Sequence, residues 1–165
     1  MSNELRIVDG GRQWDSEEWR KLRDEKMMAW LGNRDAVDCV NAISTAAEAW
    51  DDIYDGDPAD IDSAMVSLLL GLPMNPFWRQ FNAWLQPIVL VCINAWMDAR
   101  VMEKGPQEDK IRAFVLRNLG IELVMSAAFL LYGYEHMRNI SMEVRRFFDN
   151  EQFAEWEAEH AAPNS

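Results

Sequence analysis

Basic residues are scarce in this chain: 16 Lys and Arg stand against 28 Asp and Glu, a net charge of −12. So acidic a surface repels phosphate backbones and anionic headgroups, and neither a nucleic acid nor a membrane is expected as the main partner. Cysteine is nearly absent. Cys39 and Cys92 each sit inside an apolar helical pattern, in no CxxC or metal-type spacing, and read as buried free thiols of a reducing compartment. There is no glycine-rich phosphate loop, and no serine or cysteine with a positioned histidine partner, so covalent catalysis has no support. A di-iron carboxylate bundle needs two Glu-x-x-His pairs, and only Glu157–His160 has that spacing. An EF-hand opening at Asp55 fails at Asp60, where glycine belongs, and at Val66, where a bidentate glutamate belongs. The first residues lack the charged start and apolar run of a signal peptide. The longest apolar run, "PIVLVCINAW", is about half of what a bilayer-spanning helix needs. A cytoplasmic protein is therefore expected.

Apolar residues are plentiful, at 49%, with eight tryptophans and seven phenylalanines, a globular composition for one domain over 1–165 with flexible ends at 1–14 and 161–165. No segment alternates with period two, so the expected fold is an all-α, single-domain bundle of about six helices. Asp15 with Glu18 suits the first helix start and Gly32 its end. Asn33 or Asp35 opens a second helix closed by Gly56. Asp57-Pro58 and Asn75-Pro76 each place proline just after a capping residue, predicting a short third helix and a long fourth one to about Lys104. Pro87 is expected to kink the fourth. A fifth runs from Pro106 through "IRAFVLRNLGIELVMSAAFLLYGYEHM", and Ser141 caps a sixth. The two long central helices, fourth and fifth, are expected to form the buried centre, with Gly120, Gly133 and Ala127-Ala128 permitting close approach.

The most acidic stretch is "AEAWDDIYDGDPADID", residues 47–62. On a helical wheel Glu48, Asp51, Asp52 and Asp55 share one side, opposite Ile43, Ala46, Trp50 and Ile53. The simplest account is a solvated acidic face. The helix dipole opposes it, because each anion in the last turns costs about 0.3–1 kcal/mol and repulsion at one-turn spacing adds to that. A hard cation such as Mg²⁺ would reverse both effects.

"DDIYDGD" resembles the DDxxD motif of the isoprenoid synthases, the all-α prenyltransferases and terpene cyclases. The resemblance implies Mg²⁺ held by Asp51, Asp52 and Asp55, clamping a diphosphate. No second DDxxD follows. At the family's alternative second motif, Asn94 and Asp98 fit the first step, but Met102 occupies the third position and Glu103 is one residue late. The acidic motif, the "NPF" helix start at Asn75–Phe77 and the C-terminal "RRFF…E.F..W" together look like small helical proteins encoded by tailed phages and prophages, which implies a phage setting and a host-cytoplasmic location.

Asn118, Glu122 and Ser126 recur at one-turn steps on an otherwise apolar helix, as do Asn94 and Asp98. Buried polar groups must be paired. They form either an interhelical network, with Glu122 or Asp98 bridged to Arg100, Arg112 or Arg117, or a polar pocket facing Asp51 and Asp55. The expected function is Mg²⁺ binding with a phosphate- or diphosphate-bearing small molecule as ligand. The alternatives are a phage interaction or assembly protein with a protein partner, in which "SMEVRRFFDNEQFAEWEAEH" closes the bundle or docks as an amphipathic arm, and an acidic decoy of a host defence protein.

Overall fold

The computed structural model describes residues 17–118, 120–149 and 153–159, and among them the secondary structure is all helical. Helix α1 (Glu17–Leu31) leads into α2 (Arg34–Asp55). Asp15, the expected cap of α1, lies outside the described residues. The link works because Gly32 takes φ +54°, and a Cβ there would sit 3.0 Å from Tyr132 Oη. Carbonyls freed at the end of α1 find partners across the fold. Tyr132 Oη donates to Leu31 O at 2.8 Å, and His136 Nε2 lies 2.8 Å from Trp30 O. Asn33 caps α2, accepting from Ala36 N at 2.9 Å, and Gly56 ends it.

The third helix begins one turn later than Asp57-Pro58 predicts. Asp60 is the residue whose side chain reaches a free amide, accepting from Ser63 N at 3.1 Å. From there α3 (Ile61–Val66) passes through a π-helical turn (Ser67–Gly71) into α4 (Leu72–Met74). Asn75-Pro76 opens α5 (Pro76–Met102) as expected. Asn75 accepts from Trp78 N at 2.9 Å and donates to Asp35 O at 2.8 Å, tying α5 to the first turn of α2. The helix continues through Pro87. Both Pro87 and Ala83, whose carbonyl loses its donor, are exposed, so the missing bond leaves no buried polar group unpaired.

The stretch predicted as one fifth helix is instead α6 (Gln107–Leu116), α7 (Ile121–Tyr132) and α8 (Tyr134–Phe148). The first break falls at Asn118 and Gly120, both poor helix formers. The second falls at Gly133, where φ +84° and ψ −177° would strain any side-chain-bearing residue. Ser141 therefore lies inside α8, with Oγ bonded to Arg138 O at 3.1 Å. Helix α9 (Phe153–Glu159) ends the described chain.

The main core joins α1, α2, α7, α8 and the first turns of α5 around Met27, Leu31, Val37, Cys39, Val124 and Val144. Full burial of each large apolar side chain stabilises by about 1.5–3 kcal/mol. Phe147 closes it, stacked on Trp19 at 4.8 Å and edge-on to Trp30 at 5.4 Å. A smaller cluster of Ala99, Ala113 and Trp156, flanked by Phe114 and Phe153, pins α9 over the α5–α6 hairpin. The C-terminal aromatics thus close the bundle.

Of the two helices expected to form the buried centre, the fifth does so through its α7 part and the fourth only through its first turns. Helix α7 is buried through Leu123, Val124, Met125, Ala127 and Ala128, whose small alanines admit neighbouring helices. From Trp84 onward, by contrast, α5 buries only Leu85, Ala95 and Ala99, and leaves Trp84 68% and Val101 74% exposed. Among the described residues, no element packs on its outer side.

Candidate functional site: an acidic cluster and a bare apolar face

In the last turns of α2, Asp51 and Asp55 lie one turn apart on the side that meets α5. Trp96 Nε1 donates to Asp51 Oδ1 at 3.0 Å. Arg100 Nη1 lies 2.6 Å from Asp55 Oδ1 and 3.7 Å from Asp51 Oδ1, and Arg100 Nε lies 3.4 Å from Glu103 Oε1. The guanidinium also rests on the Tyr54 ring, 4.0 Å from its centroid, a cation–π contact. Burial disfavours this charge, but the Asp55 hydrogen bond and the charges of Glu103, Asp55 and Asp51 raise the Arg100 pKa overall. The cation demanded by carboxylates at the negative pole of α2 is supplied by the chain itself.

The wheel that sends these acids to water is inverted in the same turns. Ile53 and Tyr54 are about half exposed, whereas the Asp55 side chain is only 25% exposed. Arg100 draws Asp51 and Asp55 toward α5, where Trp50 and Tyr54 pack against Trp96, while Ile53 stays about half exposed. Asp52 contributes its backbone carbonyl, which accepts from Gly56 N and from Asp57 N, the latter at 2.9 Å. Among the described residues, no group of three or more His, Cys, Asp and Glu side chains is arranged to hold a metal ion.

The remaining predicted site residues are divided among separate partners. Asn94 Nδ2 donates to Asp98 Oδ2 at 3.1 Å on the exposed side of α5. Glu122 receives Arg145 Nη2 at 2.5 Å, and not Arg100, Arg112 or Arg117. Asn118 bonds Asp149, and Ser126 Oγ donates to Glu122 O at 2.6 Å. Two shallow clefts flank α5. One of about 260 Å³ is lined by Asn33, Asp35, Phe77, Gln80, Phe81, Leu130 and Leu131; the other, of about 220 Å³, by Pro87, Ile88, Val91, Cys92 and Glu122. Each offers a single carboxylate. In the second, burial and the Glu122 charge both push the Cys92 thiol pKa up, away from the reactive thiolate.

What sequence reasoning missed is the outer surface of α5. Leu90 at 60%, Val91 at 64% and Met97 at 52% exposure join Trp84 and Val101 on one side. Leu69, Leu70 and Met74 of the α3–α4 segment are equally bare. Single exposed apolar residues are ordinary, but a contiguous row of large ones marks an interaction site. The 3–4 spacing was readable in the sequence; its direction was not. By length and composition, Pro76–Met102 and the stretch Gln107–Tyr132 are also apolar enough to cross a membrane, which the longest uninterrupted apolar run alone understates. No protein-family model, curated protein or solved structure matches the chain.

Proposed function

We propose that this protein is a non-catalytic helical interaction module that docks on a protein partner through the outer face of α5, in keeping with the assembly role that its phage-like sequence pattern suggests. The observation that carries this reading is the row of exposed Trp84, Leu90, Val91, Met97 and Val101 on a helix whose opposite side is anchored in the fold. A protein partner suits it better than a bilayer, since Asn94 and Asp98 interrupt the row and Asp98 is costly in hydrocarbon. The scattered polar residues and the single carboxylate in each cleft offer no acid–base pair for catalysis.

A photo-crosslinking residue placed at position 91 in the producing cell tests the proposal, with exposed Glu135 as the control site. A discrete protein adduct at 91 and none at 135 is expected. Adducts with lipid only, or equal labelling at both sites, would overturn it.

Magnesium at Asp51, Asp52 and Asp55 is the second reading. It is supported by the convergence of Asp51 and Asp55 on one cationic position, and it requires Arg100 to yield that position. Calorimetric titration with Mg²⁺, with and without pyrophosphate, tests it; absence of heat in both arms counts against it.

A further inference from the structure

Resting on the docking role above, we propose that the partner is a second copy of this chain, paired antiparallel through α5 about a two-fold axis level with Val89. Exposed positions on α5 follow a helix-packing repeat. Trp84, Pro87, Val91, Asn94, Asp98 and Val101 alternate steps of three and four, with Leu90 and Met97 alongside. A stripe of that width and period accepts another helix at a shallow crossing angle.

Two charges identify the helix it accepts. Asp98 bonds Asn94 and meets no basic side chain among the described residues. Arg79, exposed near the start of α5 on the edge shared by Leu90 and Met97, about 100° around the helix from Asp98 and an offset its long side chain can span, meets no acidic one among them. They stand about 28 Å apart along the axis at 1.5 Å per residue. Antiparallel pairing about residue 89 brings each Asp98 level with Gln80, one residue from Arg79, of the second copy, twice over. The same register sets Trp84 against the other copy's Asn94, whose amide oxygen suits the indole N–H, and Val91 against Pro87. It is also the register that overlaps the two 27-residue helices end to end. Full overlap and charge pairing, two independent demands, meet at one alignment, as a self-complementary two-fold interface requires.

The competing occupants fit less well. Parallel pairing opposes Asp98 to Asp98. A bilayer takes Asn94 and Asp98 into hydrocarbon. A foreign helix must carry a cation and an anion at this separation in reverse order, which the chain already holds. The charge of −12 per copy opposes association, but its long-range part is screened beyond about 8 Å at physiological ionic strength.

Sedimentation velocity over a concentration series tests the proposal. The wild type is expected to dimerise, and Val91→Glu to be monomeric with an unchanged melting temperature. Asp98→Arg and Arg79→Asp should each weaken dimerisation about tenfold or more, as like charges are brought together. The decisive arm mixes these two single variants. Position 98 of the first, now basic, then faces position 79 of the second, now acidic, while the first variant's native Arg79 faces the second's native Asp98. They should therefore form a heterodimer at near wild-type strength. A monomeric wild type, unaffected charge variants, or no heterodimer would overturn the second copy as occupant. If position 91 still crosslinks to a different protein in that case, the docking role stands with another partner. Flotation of the chain with lipid vesicles in place of dimerisation would overturn both. Unfolding of Val91→Glu would show the face to be internal and would end the docking role itself.

Discussion

Helices α5 and α7 are both apolar along most of their length, yet α7 is sealed on nearly every side and α5 is bare along half its circumference. Around α7, helices α1, α2 and α8 meet, and side chains from neighbouring helices complete one another's ends, as Tyr132 and His136 do for α1. Around α5, the hairpin partner α6, the end of α2 and α7 cover one side only. The difference teaches that hydrophobicity sets how much surface must be covered, while topology sets what is left for another molecule to cover. In the sealed half charges pair at the rim, as Arg34 does with Asp24 and Asp38, and Lys26 with Glu143. In the bare half Asp98 and Arg79 are left without ionic partners among the described residues.

The contrast is broken most directly by truncating one leucine on each side. Leu31 is fully buried, and Leu31→Ala should destabilise by about 2–5 kcal/mol, through lost transfer energy and the cavity left behind. Leu90→Ala, measured at a concentration where the chain is monomeric, should stay within about 0.5 kcal/mol. Equal losses by chemical denaturation would mean that the two halves are not different in kind.

At the boundary between the halves, Arg100→Met leaves Asp51 and Asp55 without their shared cation. The expected loss is about 1–3 kcal/mol, between the small value of exposed pairs and the larger cost of breaking buried ones. Thermal melting of this variant with and without Mg²⁺ sharpens the point. Restoration by Mg²⁺ would show that the acids accept a metal once the guanidinium is gone; no restoration would confine the site to its internal cation.

The smallest effect concerns the rim of the sealed half. The hydrogen bond from Arg34 holds the Asp24 carboxyl below its ordinary pKa. A depressed carboxylate contributes stability that is fully present above its unfolded pKa, about 3.9, and is lost as pH falls through the lower folded value. Asp24→Asn should therefore cost at most about 1 kcal/mol at neutral pH, given its exposure, and flatten the fall in melting temperature between about pH 5 and pH 2. An unchanged acid slope would mean that the pair contributes nothing.

Much of the fold was legible because its signals are local. Asn33, Gly56 and Asn75-Pro76 bound their helices as their side-chain oxygens, positive φ and fixed φ require. The errors were local signals with competitors: Asp60 displaced Asp57 as a cap, and Gly133 divided a helix that hydrophobic periodicity alone would have continued. The candidate site was less legible. That the aspartates need a cation followed from the helix dipole. That Arg100, far along the chain, provides it depends on how α2 and α5 cross, and no spacing in the sequence encodes that.

By itself, then, the sequence determined an all-helical chain and where most helices begin and end, since caps, prolines and glycines act within one turn of the backbone. Tertiary structure alone decided which of two apolar helices is enclosed, which arginine meets the acids, and that Asn94 and Asp98 face outward. Enclosure and ion pairing are properties of neighbours in space, and the neighbours here come from distant parts of the chain.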